Sequence, residues 1–125
     1  MNEAVPRTVL FVCLHGANKS RLAAAFFNAV APAGWWAASA GLHPQEAVSP
    51  HAVRLVAGTP AEPLLDRAAP VPVCAISAPA LTVAIDCDVP GADRWDLPSQ
   101  QVDDTMRDRL RAWATELARQ VAHAG

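Results

Sequence analysis

The sequence predicts an α/β protein of three layers (α/β/α), built around a four-stranded parallel sheet. The first observation behind this prediction is that short apolar runs of strand length alternate with segments that begin with helix start signals. The second is that helical segments separate the strands, and strands joined in this way pair in parallel through right-handed crossovers. A chain of 125 residues has the size of one domain, so residues 1–125 are expected to fold as a single unit.

The N-terminal quarter predicts the first strand and the first helix. Thr8–Cys13 is an apolar run rich in β-branched residues, and it is expected to form a central strand. Lys19–Ala31 carries apolar residues at helical spacing, and Pro32 and Gly34 follow it as stop signals. Between the two lies a short polar loop that contains Gly16. The strand therefore leads through this loop directly into a helix N-terminus.

A second strand and a second helix follow. Trp35–Ala40 is a strand candidate that ends at Gly41. Ser49 is a favourable N-cap, Pro50 suits the first position of a helix, and Gly58 is a favourable stop. These signals predict a short helix between the N-cap serine and the glycine.

The remaining elements come after a proline-rich stretch. Thr59–Pro79 contains five prolines and is predicted to be a loop with at most one helical turn, near Val73–Ser77. Leu81–Cys87 has the composition of a buried strand, and Arg94–Leu97 predicts a short one. The last helix, over 102–122, has apolar residues every three or four positions and two aspartates in its first turn.

Composition excludes several classes of function. The chain is 52% hydrophobic, too apolar for a disordered protein, and its net charge of −2 provides no basic surface for nucleic acid. The apolar run 8–14 is too short to cross a membrane and follows no cationic stretch, so a cytoplasmic protein without a membrane partner is expected. Three widely spaced cysteines suit reduced thiols, and no His/Cys cluster suggests a metal, so no cofactor is expected. The sequence leaves the oligomeric state open.

The most specific motif runs from Cys13 to Ser20. The predicted strand delivers Cys13 to a loop that a helix N-terminus closes. Backbone N–H groups of such a loop, together with the dipole of the following helix, attract an anion, and they also make a thiol more acidic and more nucleophilic. Lys19, the only lysine in the chain, adds a positive charge. The expected anion-binding residues, besides Lys19 and Ser20, are Leu14, His15, Gly16, Ala17 and Asn18.

Residues 10–27 resemble the phosphate loop of the low-molecular-weight protein tyrosine phosphatases and of the thioredoxin-coupled arsenate reductases that share their fold. The signature of that family is a cysteine, five residues, an arginine, and then serine or threonine. The resemblance continues weakly through Ser39–Gly41, Ser49-Pro50, Val83–Cys87 and Trp95–Pro98. It implies the same three-layer fold for this chain. It also implies that Cys13 is the nucleophile and that the Ser20 hydroxyl supports the thiolate.

Two departures from the family pattern bear on catalysis. Lys19 stands where the family has its arginine, and a lysine offers a point charge in place of a fork with two parallel donors. The place of the family's general acid, an aspartate, reads Ser99-Gln100. Trp95, Asp96 and Ser99 are candidate cleft residues, although Asp96 does not match the acid position. The other carboxylates that could take this role are Asp86, Asp88 and Asp103.

The two other cysteines bear on redox chemistry. Cys87 ends a predicted buried strand and suits the core, yet the resemblance implies that a resolving thiol of the arsenate reductases lies near this position. The further cysteine of those enzymes is absent from 88–98, and Cys74 is a poor substitute within the proline-rich stretch.

Three functions therefore remain open. The first is hydrolysis of a phosphate monoester through a cysteinyl-phosphate, with Cys13, Lys19 and Ser20 as catalytic residues. The second is binding of an oxyanion or phosphorylated partner without turnover, and the third is thiol redox chemistry such as arsenate reduction. Each takes phosphate, sulfate, arsenate or a phosphorylated substrate as its partner.

Overall fold

The computed structural model describes residues 6–123. It contains four strands, three α-helices and two 3₁₀ turns. In chain order they are β1 (Arg7–Cys13), α1 (Lys19–Val30), β2 (Trp35–Gly41), α2 (Pro50–Val56), the turns Glu62–Leu64 and Val73–Ala75, β3 (Leu81–Ile85), β4 (Asp93–Trp95) and α3 (Asp104–His123). None of the helices within 6–123 is both long and apolar enough to cross a membrane.

The four strands form one parallel sheet in the order β2-β1-β3-β4. The predicted four-stranded parallel sheet is thus confirmed, and β1 lies inside the sheet as expected. In the register of the first pair, Cys13 lies opposite Gly41 at the ends of β1 and β2. The loops that follow these two strands therefore leave the sheet side by side, at the carboxyl edge where ligands bind in folds of this kind.

The two faces of the sheet are covered differently. Alternate residues of β1 point to opposite faces, so Phe11 and Cys13 join one buried cluster while Leu10 and Val12 join another. The first cluster contains residues of all three α-helices. Against the second cluster pack Val71, Val73, Ile76, Val89 and Ala92, which come from extended chain, turns and the second 3₁₀ turn. Within residues 6–123, the chain that packs against this cluster consists of extended chain and turns.

Three elements differ from their predicted ranges by two residues at one end. The strand predicted over Leu81–Cys87 ends at Ile85, because Asp86 adopts a positive φ of 53° that extended chain does not allow. The short fourth strand occupies Asp93–Trp95 instead of Arg94–Leu97. The last helix begins at Asp104 because the carboxylate of Asp103 accepts a hydrogen bond from the backbone N–H of Met106, as an N-cap residue does.

The outer edge of β2 is closed by a side chain of α1. The Asn28 amide donates to the carbonyl of Ala37 (3.0 Å) and accepts from the N–H of the same residue (2.7 Å). Further along this strand, the N–H of Gly41 donates to the carbonyl of Val71 (2.9 Å). The backbone groups of Ala37 and the N–H of Gly41 are thus occupied within the chain.

Candidate active site

Cys13 is the last residue of β1 and is buried, with 5% of its surface exposed. Its thiol donates a hydrogen bond to the hydroxyl of Ser20 at 3.1 Å, and this hydroxyl donates to the carbonyl of Ala40 at 3.5 Å. A serine hydroxyl can rotate and donate to a thiolate once the thiol has lost its proton. The pair predicted from the sequence, Cys13 and Ser20, is therefore brought into contact at the start of α1.

The loop between Cys13 and α1 is held by a buried arginine that the sequence analysis missed. Arg21 is 2% exposed; its Nε donates to the carbonyl of Gly16 (2.8 Å) and its Nη1 to the carbonyl of Asp66 (2.5 Å). Burial lowers the pKa of the Arg21 guanidinium, and the nearby Asp66 opposes this effect. The sequence signal was a charged residue directly before the apolar run 22–27 of a buried helix.

The same loop packs directly against the backbone that follows β2. Gly16 has a positive φ of 65°, and a Cβ built there would lie 2.7 Å from the nitrogen of Gly41. A Cβ on Gly41 would lie 2.5 Å from the carbonyl carbon of His15. The two chains are also joined by hydrogen bonds, including that from the N–H of His43 to the carbonyl of Leu14 (2.7 Å). Only glycine allows this close approach at either position.

A cavity of about 310 Å³ lies over the loop, with Cys13 in its wall. It collects most of the residues that the sequence predicted to bind an anion: Leu14, His15, Ala17, Asn18 and Lys19. Gly16 and Ser20 are buried beneath it. The cavity also receives residues from distant parts of the chain, which are Gln45, Ser49, Ile85, Asp86 and Gln100.

Lys19 forms an ion pair across this cavity. Its Nζ lies 2.7 Å from Oδ2 of Asp86 and donates to Oε1 of Gln100 at 3.2 Å. The Lys19 and Asp86 side chains are 18% and 13% exposed, so water screens the pair only in part. The other oxygen of Asp86 accepts from the N–H of Leu97 at 2.8 Å. Asp86 is thus fixed by the chain on one side and holds the lysine on the other.

The candidate cleft residues of the fourth-strand region lie outside the cavity, which corrects the sequence expectation. The Trp95 ring packs against Phe11 and Trp113, with centroids 5.3 and 5.5 Å away, because it belongs to the helical core. Asp96 is exposed and accepts from Arg94 at 2.7 Å. The Ser99 hydroxyl accepts from the N–H of Gln101 and lines a separate depression on the surface.

Cys87 lies on the other face of the sheet from Cys13. Its thiol donates to the carbonyl of Val12 at 3.5 Å and packs in the second buried cluster, whereas Cys13 belongs to the first. Burial raises the pKa of the Cys87 thiol, and the proximity of Cys13 adds to this rise. Cys74 is exposed in the second 3₁₀ turn. All three cysteines are free thiols.

Among residues 6–123 no group of three or more His, Cys, Asp and Glu side chains could hold a metal ion. The groups that the described residues bring to the cavity include a thiol, a hydroxyl, an ammonium group, a carboxylate, an imidazole and the backbone of a loop that precedes α1. Such a set can bind an oxyanion and present a nucleophile to it.

The fold and this site define an α/β domain with a cysteine loop at the carboxyl end of its central parallel strands. Neither a family model nor a curated protein sequence matches the chain. Solved structures do. An arsenate reductase from Archaeoglobus fulgidus DSM 4304 is 30% identical, with a TM-score of 0.65 over 90% of this chain and 97% of that one. The chain belongs to the superfamily of the arsenate reductases and low-molecular-weight protein tyrosine phosphatases.

Two more distant structures share the fold. The thioredoxin-dependent arsenate reductase Cg_ArsC1' of Corynebacterium glutamicum is 20% identical, with a TM-score of 0.76 over 99% of this chain and 66% of that one. A low-molecular-weight protein tyrosine phosphatase from Bacillus subtilis is 18% identical, with a TM-score of 0.68 over 93% and 97% of the two chains. The superfamily thus contains both reductases and phosphatases, and its fold alone does not distinguish these activities.

Proposed function

We propose that this protein hydrolyses phosphate monoesters by way of a cysteinyl-phosphate. The observation that supports this proposal is the contact between Cys13 and Ser20 at the start of α1, beside a cavity that also contains the Lys19 ammonium. A hydroxyl beside the sulfur favours the thiolate, and the loop N–H groups and the N-terminus of the twelve-residue α1 favour a bound dianion.

In the first step, the Cys13 thiolate attacks the phosphorus, the S–P bond forms, and the ester P–O bond breaks. Water then attacks the phosphorus of the cysteinyl-phosphate, releasing inorganic phosphate and the thiolate. Lys19 offsets the negative charge on the transferring group, although as a point charge it aligns only one oxygen at a time. We expect slower turnover than an arginine would allow, because losing a well-placed oxyanion donor costs about 10²–10³ in rate.

The residues that line the cavity suit a small substrate. They include no Phe, Trp or Tyr, so the cavity has no large ring on which an aromatic leaving group could stack. The side chains around it, apart from Leu14, Ala17 and Ile85, are polar or charged. We therefore propose small phosphate monoesters, rather than phosphotyrosine in a protein, as the substrate class.

Hydrolysis of 4-nitrophenyl phosphate by the native chain and by Cys13→Ser tests this function. We expect the substitution to lower kcat by about 10⁴-fold or more, as removal of a nucleophile does, with inorganic phosphate still bound. Cys87→Ser is the matched control, because this thiol lies on the other face of the sheet. Rapid quenching of the native enzyme should trap a phosphorylated Cys13. Phosphate binding without any Cys13-dependent turnover would instead support the oxyanion-binding function.

Arsenate reduction is a second candidate, favoured by the 30% identity to the Archaeoglobus fulgidus arsenate reductase. The Cys13 thiolate would displace hydroxide from arsenate, and attack of a second thiol on the Cys13 sulfur would then form a disulfide and release arsenite, so that the two thiols supply the two electrons. Because Cys87 packs in the cluster on the opposite face, we propose that a thiol from another molecule would resolve the adduct. Arsenate turnover that requires an added thiol and survives Cys87→Ser would support this candidate. Turnover abolished by Cys87→Ser would instead assign the resolving role to Cys87.

A further inference from the structure

We propose that Lys19 is the proton donor for the leaving group, in addition to its role as a phosphate ligand. This inference rests on the proposed phosphatase function. It accounts for both departures from the family pattern together. No aspartate is present at Ser99-Gln100 to give the leaving group its proton, and the lysine in the loop supplies that proton instead. A lysine can do this because an ammonium group can give up a proton, whereas a guanidinium is not deprotonated in proteins.

The position of the ammonium group supports this role. Cys13 is 5% exposed, whereas the hydrogen bond between Lys19 Nζ and Gln100 lies at the protein surface. In an in-line displacement the leaving oxygen lies opposite the attacking sulfur. A leaving oxygen therefore points away from buried Cys13 and toward the exposed side, where Lys19 Nζ lies. Two of the three N–H groups of the ammonium are directed to Asp86 and Gln100, and the third remains for the leaving oxygen.

The other polar groups around the cavity are less suited to this task. Both oxygens of the Asp86 carboxyl group already accept hydrogen bonds, Oδ2 from the Lys19 ammonium (2.7 Å) and Oδ1 from the N–H of Leu97 (2.8 Å). The Gln100 amide does not titrate. His15 has its Nδ1 3.3 Å from the carbonyl of His43. His15 is therefore the remaining alternative, which the His15→Gln variant tests.

The proton balance closes over the two steps. As the S–P bond forms and the P–O bond breaks, a proton moves from Lys19 Nζ to the leaving oxygen, and the free alcohol departs. Lys19 is then a neutral amine. It takes a proton from the water that attacks the cysteinyl-phosphate, so inorganic phosphate and the Cys13 thiolate are released with the ammonium restored. Asp86 acts as a positioning residue, because it keeps Nζ at the mouth of the cavity in both steps.

The test compares Lys19→Arg with the native enzyme on two substrates that differ in their need for a proton. 4-Nitrophenyl phosphate releases a stabilised anion, whereas phenyl phosphate releases a phenolate about as basic as a tyrosine side chain (about 10). We expect the variant to keep or exceed the native kcat/KM on the first substrate. The ratio of kcat/KM on phenyl phosphate to kcat/KM on 4-nitrophenyl phosphate should fall by about 10²-fold, the usual contribution of a general acid.

His15→Gln is the comparison variant, because His15 is the other titratable donor in the cavity wall. We expect it to keep the native ratio between the two substrates, whatever its absolute rate. The inference is overturned if Lys19→Arg has the same ratio of kcat/KM between the two substrates as the native enzyme, or if this ratio changes only in His15→Gln. Either result leaves the proposed phosphatase function in place. Absence of Cys13-dependent turnover of either substrate by the native enzyme would overturn both.

Discussion

The loop after β1 (residues 13–21) and the segment after β4 (residues 96–101) both contribute to the cavity, and the structure holds them in different ways. The first is fixed by buried contacts: the Cys13 thiol on Ser20, the Arg21 guanidinium on Gly16, and backbone packing against Gly41. Apart from Leu97, which is buried and donates to Asp86, the second lies at the surface, where the Asp96 and Ser99 contacts are exposed.

This difference separates two requirements of the chemistry. Binding an oxyanion needs several N–H groups held in one arrangement, so the loop must be rigid and its buried supports cannot vary freely. Supplying a proton needs one titratable group within reach of the leaving oxygen, and that group can come from more than one position. In this chain the loop after β1 meets the first requirement, and we propose that Lys19 meets the second. The predictions below test this contrast between the two segments.

The largest expected effect is a loss of stability on replacing Arg21, the buried arginine that holds the loop after β1. Arg21→Met should lower the free energy of unfolding by about 3 kcal/mol, because it removes charged hydrogen bonds to two carbonyls in a buried position. It should also weaken phosphate binding, since Gly16 loses its support. Arg94→Met is the matched control in the β4 region. Arg94 is exposed, so we expect no measurable change in stability or in phosphate affinity.

Chemical denaturation and calorimetric titration with phosphate would measure both variants. Equal losses in Arg21→Met and Arg94→Met would contradict the contrast between a rigid loop and an adaptable one.

A smaller effect is expected from carboxylates introduced beside the cavity. Gln100→Glu places a carboxyl group where the amide now contacts Lys19, so that two carboxyl groups share one ammonium and one of them holds its proton more tightly. We expect about a tenfold gain in kcat/KM on phenyl phosphate, below the full range for a general acid because Lys19 already acts there. Ser99→Glu should give no gain, since the Ser99 side chain lines a different depression.

Steady-state rates on phenyl phosphate distinguish the two carboxylate variants, and alkylation of Cys13 in the presence of phosphate checks that both still bind the anion. A larger gain from Ser99→Glu than from Gln100→Glu would mean that the segment after β4 turns differently toward the substrate.

The smallest effect concerns Cys87, on the sheet face away from the cavity. Burial, with a further contribution from Cys13, raises the pKa of the folded Cys87 thiol. As the pH rises, the Cys87 thiol therefore loses its proton at a lower pH in the unfolded chain than in the folded one. The contribution of the protonated thiol to the free energy of unfolding is complete below about pH 8.5, and it is lost as the pH rises toward the folded pKa. Between pH 8 and 10 the stability of Cys87→Ala should fall less steeply than that of the native chain. Exposed Cys74→Ala should follow the native curve.

Much of the fold could be predicted from the sequence because its signals are local. The apolar run of β1, the stop signals after α1 and the N-cap Ser49 all act within a few residues, and the corresponding elements are present. The left-handed conformation of Asp86, which shortens the third strand, has no such signal, because it depends on hydrogen bonds to Lys19 and Leu97.

The candidate site was predictable only on the side that follows β1. There the loop, its cysteine and the helix start are consecutive in the sequence. In the segment after β4, Gln100 faces the cavity because it contacts Lys19, and these two residues are 81 positions apart in the sequence. The sequence indicated Ser99, one position away, and placed Trp95 near the cleft when its ring belongs to the core. Side-chain direction in an exposed segment is set by such distant contacts rather than by local propensity.

The Asn28 side chain affects whether a second chain can pair with the free edge of the sheet. An open sheet edge is a template on which a second chain can add a strand, in dimers and in aggregates alike. Asn28 mimics that incoming strand at Ala37 by offering one acceptor and one donor, and Val71 accepts from Gly41 further along. Strand addition along β2 would first have to break these bonds. The Asn28 amide thus occupies the position at Ala37 where an added strand would pair.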